Sequence, residues 1–180
     1  MTRRLLIKAH LIVASFFAPA LVIIAISGGL YLVNIKGTVE ETAIQVPADV
    51  RLDLTSETIE TDVRALFNNL SIDHEFEYLR AGDAMLTTRP TSQTYYVLQV
   101  SAEHVTISRN VPSLQKRLIE LHKGHGPLLF KDFQKVMAVA LLFVLLSGAW
   151  LGLSSVGLRN NTMVTIGGGL VLFLWLAFLS

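Results

Sequence analysis

The sequence contains no cysteine. This absence excludes disulfides, CxxC redox chemistry, thiolate metal sites and thiolate-bound iron–sulfur clusters. Charge is also scarce, since 16% of the 180 residues are charged, against roughly 25% in soluble domains. The net charge of +1, without a basic stripe, argues against a nucleic-acid binder. The chain also lacks a GxSxG, HExxH or phosphate-loop motif, so no familiar reaction is indicated.

Three long runs lack Asp, Glu, Lys and Arg: Ala9–Ile35, Val136–Leu158 and Asn160–Ser180. Each is close to or above the ~20 residues that a helix needs to span the ~30 Å hydrocarbon core of a bilayer. A helix this apolar is most favourable in lipid, where its backbone hydrogen bonds are satisfied internally. We therefore predict three transmembrane helices around one polar insert.

The first run imitates a secretory signal peptide, with a basic start and the small-x-small sequence Ala18-Pro19-Ala20. The apolar residues continue to Ile35, which a removed peptide does not need. We therefore predict an uncleaved membrane anchor, slightly kinked at Pro19.

Small residues recur on one face of two of these helices, where they let a partner helix approach closely. Gly148 and Gly152 form a GxxxG in the second run, and each of the first two runs contains a Ser-Gly step. The predicted helix-packing residues are Ala14, Ala18, Ala25, Ser27, Gly28, Gly29, Ser147, Gly148 and Gly152.

Most of the charge lies between the first two runs, which predicts an α+β domain there. We predict four segments: residues 1–35 as the N-terminal tip and first span, 36–130 as the α+β domain, 131–158 as the second span and 159–180 as the third. The ValGluGluThr segment, residues 39–42, together with Pro47 predicts an extended linker.

Periodicity predicts two helices in the domain. The first begins at Thr55 or Ser56, ends near Leu70, and has Val63, Leu66 and Phe67 on its apolar face. The second runs from Ser113 to Lys123, with Pro112 in its first turn and the apolar side chains of Leu114, Leu118 and Leu121 on one side.

Between these helices, period-two patterning predicts four strands: His74–Leu79, Ala84–Thr88, Thr94–Val100 and His104–Ser108. The intervening turns, at Gly82-Asp83, Arg89–Ser92 and Ser101–Glu103, are short enough only for hairpins. The strands should therefore form an antiparallel meander.

Basic residues in the short segments predict the topology. Arg3, Arg4 and Lys8 favour a cytoplasmic N-terminus, and Arg159 in the loop between the last two spans agrees. Five basic residues near the second span disagree, namely Lys116, Arg117, Lys123, Lys131 and Lys135, but long domains translocate largely regardless of charge. The α+β domain is therefore predicted outside the cytoplasm, which in a bacterium is the periplasm.

The two spans that flank the domain carry similar signatures, Ser27-Gly28 and Ser147-Gly148, each with a histidine upstream, His10 and His122. The step Thr87–Pro90 followed by Tyr95-Tyr96-Val97 resembles the sheet of a PepSY-like domain. In its order of elements the chain resembles small members of the PepSY-associated transmembrane family of bacterial inner-membrane proteins.

This resemblance implies two different functions. PepSY domains are thought to regulate peptidases or to serve as extracytoplasmic interaction modules. Larger members of the family are haem-containing reductases, including ones that reduce siderophore iron, in which histidines on membrane helices hold haem b.

A haem with two histidine ligands needs both imidazoles at a similar depth. In the predicted topology His10 lies near the cytoplasmic end of the first span, whereas His122 and His125 lie before the second span on the opposite side. One haem could therefore not join His10 to either. His122 and His125 could begin a metal site, although a solvated helix end is the more ordinary interpretation. His74 and His104 are predicted to be sheet-surface residues.

Other activities find less support. Ser27 and Ser147 are predicted to lack a nearby base and so to serve packing rather than catalysis. All three spans lack charge, which argues against a transporter or channel.

We therefore expect a non-enzymatic inner-membrane protein whose PepSY-like domain binds a membrane or periplasmic protein, with homo-oligomerisation open and no cofactor or nucleic acid required. The alternative is an accessory subunit, or reduced relative, of a haem b-containing iron reductase. In that case His10, His122 and His125 are the candidate ligands.

Overall fold

The structure, a computed structural model, describes residues 2–101 and 104–178. These residues form five helices and one antiparallel sheet of five strands. The elements in chain order are α1 (Arg3–Leu32), β1 (Val39–Ile44), α2 (Ile59–Asn69), β2 (Tyr78–Ala81), β3 (Met85–Arg89), β4 (Tyr95–Val100), β5 (Val105–Pro112), α3 (Leu114–His122), α4 (Leu128–Leu153) and α5 (Arg159–Phe178).

Three of the helices, α1, α4 and α5, are long and apolar enough to cross a membrane. This confirms the three apolar helices that the charge-free runs predict. Helix α1 continues through Pro19 without interruption, and within its described span α5 has no buried residue. The predicted end of the third span at Ser180 lies outside the described residues.

By its internal contacts the chain divides into two compact units. One consists of Met1–Ala20 with Lys135–Ser180, and the other of Leu21–Gln134. Helices α1 and α4 each contribute residues to both units. The second unit contains the sheet, α2 and α3 together with the end of α1 and the first turns of α4.

The strand order in the sheet is β1-β5-β4-β3-β2. The last four strands form the antiparallel meander that the sequence predicts. The prediction of four strands was wrong, because Val39–Ile44 is a fifth strand, β1, paired antiparallel with β5 and not part of a linker. Strand β1 lies at the sheet edge with its four central residues exposed, so it lacks the alternation of apolar and polar residues that marks a half-buried strand.

The core lies between α2 and one face of the sheet. Val63, Leu66 and Phe67 are buried, as the periodicity of α2 predicts. They pack with buried side chains from the sheet and from the segment before it: Phe76, Leu86, Tyr96, Leu98, Val105 and Ile107. Leu86 and Leu98 are adjacent in the register of β3 and β4, which places both on the α2 face.

Several predicted boundaries differ from the structure. Strand β2 begins at Tyr78, so His74 precedes the sheet. Its ring lies half-buried against Tyr96, with a centroid distance of 4.7 Å. His104 also precedes its strand and contacts Ser101. Neither histidine is therefore an ordinary surface residue of a strand. In the predicted turn Ser101–Glu103, Ala102 and Glu103 lie outside the described residues.

The helix starts also differ. Helix α2 begins after Thr58 and not at Thr55 or Ser56. Pro112 ends β5, and Ser113 caps α3 by accepting a hydrogen bond from the Lys116 amide. In α3 the buried side chains are Ile119 and Glu120, whereas Leu114 is 74% exposed. Leu114 is therefore not part of the core.

Candidate functional site

In the unit formed by residues 1–20 and 135–180, His10 of α1 lies against the Ser147-Gly148 step of α4. The distance from His10 Nδ1 to Ser147 Oγ is 2.8 Å. The Ser147 hydroxyl also lies 3.1 Å from the Val144 carbonyl oxygen, so its one proton can be donated either to that carbonyl or to His10 Nδ1. If the hydroxyl donates to the carbonyl, His10 Nδ1 donates to Ser147 Oγ, and Nε2 of the neutral ring keeps a free lone pair.

In the unit formed by residues 21–134, His122 lies against the Ser27-Gly28 step of α1. His122 Nδ1 is 2.9 Å from the Ile24 carbonyl oxygen, which can only accept, and 3.5 Å from Ser27 Oγ. The Ser27 hydroxyl also donates to the Ile24 carbonyl, at 2.9 Å. His122 therefore carries its proton on Nδ1, and the Nε2 lone pair is free in the neutral ring.

The glycine of the Ser27-Gly28 step makes room for the imidazole, whereas a Cβ at Gly148 would be in ordinary contact with the ring. A Cβ at Gly28 would lie 2.9 Å from His122 Cε1, and a Cβ at Gly148 would lie 3.4 Å from His10 Cε1. The first distance is too short for any side chain at position 28 unless the ring moves. A buried serine with its adjacent glycine thus lies against a histidine once in each unit.

The other small residues of the two apolar helices have less specific surroundings. Ala14 is half-buried, Ala18 and Ala25 are exposed, and a Cβ at Gly29 would meet nothing within 4 Å. A Cβ at Gly152 would lie 2.5 Å from Thr162 Oγ1, at the start of α5. Helix packing through this set stays a prediction.

Both serines have a histidine beside them, so the prediction that no base lies near them was wrong. A general base must accept the hydroxyl proton. His122 Nδ1 cannot do so for Ser27, because it donates to the Ile24 carbonyl. The Ser147 hydroxyl has both His10 Nδ1 and the Val144 carbonyl within hydrogen-bond distance.

A cavity of about 450 Å³ lies beside His122, between the end of α1 and α3. Ile119, Leu32 and Ala25 contribute apolar walls, and His122 and Lys123 add polar groups. Because His122 is exposed, its ring is accessible to a ligand in this part of the molecule.

Glu120 of α3 is the centre of a buried polar network that sequence reasoning missed. Its carboxylate accepts from His125 Nδ1 at 2.6 Å and from Thr91 Oγ1 at 2.9 Å. Lys116 and Lys123 lie 3.2 and 3.3 Å away. Spacings of three and four residues along α3 predict these lysine pairs, but not the burial of Glu120, which depends on the loop that contains Thr91.

Burial by itself raises the pKa of the Glu120 carboxyl. The hydrogen bonds from His125 and Thr91 and the nearby ammonium groups of Lys123 and Lys116 outweigh that effect and lower the pKa from 4.5 to about 2. Glu120 is therefore ionised throughout the physiological range. His125 serves this carboxylate through Nδ1, so its predicted pairing with His122 in a metal site gains no support.

Arg89 continues the network on the other side of Thr91. It is 7% exposed and donates from Nη1 to Thr91 Oγ1 at 2.8 Å. Its Nε is buried without a hydrogen-bond partner. Since an arginine carries five N–H donors, Arg89 keeps unused capacity to bind an acceptor.

The sheet is bonded directly to the helix ends of its unit. The Leu128 amide at the start of α4 donates to both oxygens of Glu77, at 2.9 and 3.1 Å. Lys131 donates to the Tyr78 hydroxyl at 2.6 Å. After the end of α1, Ile35 accepts from Gln115 of α3 at 2.9 Å. The carboxylate at the α4 N-terminus also complements the helix dipole.

Within residues 2–101 and 104–178, no group of three or more His, Asp or Glu side chains could hold a metal ion. Comparison with family models, with curated proteins and with solved structures gives no match.

Proposed function

We propose that this protein is a bacterial inner-membrane protein whose PepSY-like α+β domain, residues 36–130, lies in the periplasm and binds a membrane or periplasmic protein. The observation that carries the proposal is the direct bonding of the sheet to the helix ends, at Glu77 with Leu128 and at Tyr78 with Lys131. A partner bound to the sheet would therefore act on the base of α4 without an intervening flexible linker.

The basic residues of the short segments support the proposed topology. Arg3, Arg4 and Lys8 precede or begin the first span, and Arg159 begins the third. The five basic residues near the second span oppose this topology, but long domains translocate largely regardless of charge.

The natural absence of cysteine allows a direct test. Gln99→Cys, on an exposed residue of β4, is expected to react in intact cells with a membrane-impermeant maleimide that carries a photocrosslinker. Irradiation should then give a discrete protein adduct. The matched variant Thr2→Cys should react only after the cells are opened. Labelling of Thr2→Cys alone in intact cells would refute the topology. The interaction function would be refuted if Gln99→Cys is labelled but gives no protein adduct, and if the purified protein is monomeric.

The alternative function is a haem-linked accessory subunit, and the hydrogen bond of His122 favours it. Histidines that bind a metal through one nitrogen usually donate the other N–H to a protein acceptor, which fixes the tautomer and raises ligand basicity. His122 meets this condition through Nδ1, and His10 meets it in the tautomer whose Nδ1 donates to Ser147. Haem b would supply one-electron transfer when bound.

The donor set fits a haem only in part. Each Ser-Gly step receives one imidazole, so an iron with two histidine ligands needs a second imidazole from another copy of the chain or from a partner subunit. This requirement ranks the haem function below the interaction function.

A visible spectrum of the chain, purified from its host membrane with its partners, separates the two functions. Under the haem function we expect a Soret band that is lost in His10→Ala or His122→Ala and kept in the control His104→Ala. Ser147→Ala keeps His10 but removes its hydrogen-bond partner, so the band should weaken or shift. The absence of a Soret band from wild-type protein that retains its partners would exclude this function.

A further inference from the structure

Strand β2 forms one edge of the sheet, so among the described residues no further strand pairs with its outer backbone groups. The Gly82 amide donates to the Met85 carbonyl at 2.8 Å, and opposite residues in an antiparallel pair alternate between hydrogen-bonded and non-hydrogen-bonded. The backbone N–H and C=O groups of Arg80 therefore face β3, whereas those of Leu79 and Ala81 point away from β3. An edge of this kind can pair with an added strand.

Helix α4 lies beside the start of this strand. The side chains of Glu77 and Tyr78 are bonded to Leu128 and Lys131, so we place an added strand at the stretch after Tyr78. Within that stretch, Arg80 and Ala81 are exposed. A partner segment could therefore pair with only a few residues of β2, and the backbone alone would give weak affinity.

A second observation indicates what would strengthen such a contact. Beside the free stretch lies a cavity of about 380 Å³, whose walls include Arg80, Thr87 and Arg89. Among the described residues that line it there are two guanidinium groups and no carboxylate. The side chain of Arg80 has no hydrogen bond or ion pair in the part of the chain that the structure describes. Arg89 contributes its buried, incompletely paired guanidinium.

The register places the side chains of Arg80 and Arg89 on the same face of the sheet. Arg80 pairs with Thr87 across β2 and β3, and Thr87 lies on the face opposite to Leu86, which is buried against α2. A strand added beside Leu79–Ala81 would alternate its side chains between the two faces. Its residues on the open face would point toward this cavity, where a carboxylate could meet the guanidinium fork of an arginine.

A charged edge strand also selects among partners. Arg80 repels an added strand that carries a basic residue opposite it, which is one way in which proteins limit edge-to-edge aggregation. The same charge favours a strand that brings an acidic side chain. Glu77 and Asp83 each lie three residues from Arg80 along the chain. Glu77 accepts from the Leu128 amide, and Asp83 lines a different cavity.

We infer that the β2 edge binds an extended acidic segment of a partner protein, by strand addition at Leu79–Ala81 and by a carboxylate bound at Arg80 and Arg89. This inference rests on the proposed interaction function and specifies the chemistry of the partner.

The probe is a short blocked peptide of alternating threonine and valine with one central glutamate, together with the same peptide carrying glutamine. Binding to the full-length protein in detergent is measured by fluorescence anisotropy. The glutamate peptide is expected to bind about tenfold more tightly, since a charge-assisted hydrogen bond contributes about one power of ten. Equal binding of the two peptides, or binding of neither, would overturn the inference.

Variants separate the two parts of the contact. Arg80→Gln should remove the preference for glutamate, whereas Arg109→Gln, on the α2 face of the same sheet, should keep it. Ala81→Pro removes an outward N–H and should weaken the binding of both peptides. Ala81→Thr keeps that N–H and should leave the binding of both peptides unchanged. Circular dichroism confirms that each variant is folded. Loss of the preference in Arg109→Gln, or unchanged binding in Ala81→Pro, contradicts the inference.

Self-association is the competing outcome. Suppose that the wild-type protein binds neither peptide and forms oligomers, and that Ala81→Pro dissociates these oligomers. The edge then pairs with a second copy, and the inference is wrong. Failure of the inference is distinguishable from failure of the proposed function, because the Gln99→Cys adduct does not depend on which strand or residue type the partner uses.

Discussion

Replacing Glu120 with glutamine is expected to lower the free energy of unfolding of the α+β domain by about 2 kcal/mol at neutral pH. The side chain keeps its shape and can still accept from Thr91, but it loses the charge that pairs with Lys116, Lys123 and His125. The fall of the pKa from 4.5 to about 2 corresponds to about 3 kcal/mol. The two lysines are 26% and 41% exposed, so solvent screening reduces this figure.

The same residue predicts a pH dependence of definite sign. The pKa of the Glu120 carboxyl is lowered by folding, so its contribution is complete above pH 4.5 and is lost as the pH falls toward about 2. Hydrogen-exchange protection of α3 in the wild-type protein should decrease across this range. In Glu120→Gln this component of the decrease should be missing, and protection should be lower already at neutral pH.

The matched control is Glu60→Gln in α2. Glu60 also forms a salt bridge with a residue four positions away, Arg64, but the two side chains are 44% and 40% exposed. Exposed pairs of this kind contribute between 0 and about 1 kcal/mol, so the control should change stability little. Equal effects of the two substitutions would show that the burial of Glu120 does not matter.

Replacing Gly37 with alanine is expected to destabilise the second unit by about 3 kcal/mol or more, for two reasons that add. Gly37 has φ +71°, in the left-handed region that favours glycine. A Cβ there would also lie 2.6 Å from the backbone nitrogen of Lys116 and 2.8 Å from Ser113 Oγ. These atoms belong to the first turn of α3, which is bonded to Thr38 in both directions.

Gly124→Ala separates the two causes. Gly124 has a similar φ of +76°, but a Cβ there would meet nothing within 4 Å. It should therefore carry only the conformational cost, about 1 kcal/mol. Thermal unfolding of both variants measures the difference, and limited proteolysis shows whether α3 is displaced. Similar losses for both variants would contradict the predicted clash at Gly37, whereas failure of Gly37→Ala alone to accumulate in folded form would support it.

What the sequence alone determined is local. The absence of charge over three long runs was enough to predict α1, α4 and α5, because helix length and apolarity are properties of a single segment. The spacing of Val63, Leu66 and Phe67 predicted the buried face of α2 for the same reason. The short turns between β2 and β5 allowed only hairpins, so their order in the sheet followed from the chain.

Only the tertiary structure decided the contacts between residues far apart in sequence. Strand β1 was missed because its partner, β5, begins more than sixty residues later, and an exposed edge strand carries no period-two pattern. The Ser-Gly steps were recognisable as motifs in the sequence. The sequence did not predict that His10 lies against Ser147 or that His122 lies against Ser27. The burial of Glu120 likewise requires a loop from β3 and an imidazole beyond α3. Such pairings depend on how distant segments pack, and the local conformational propensity of the residues does not predict that packing.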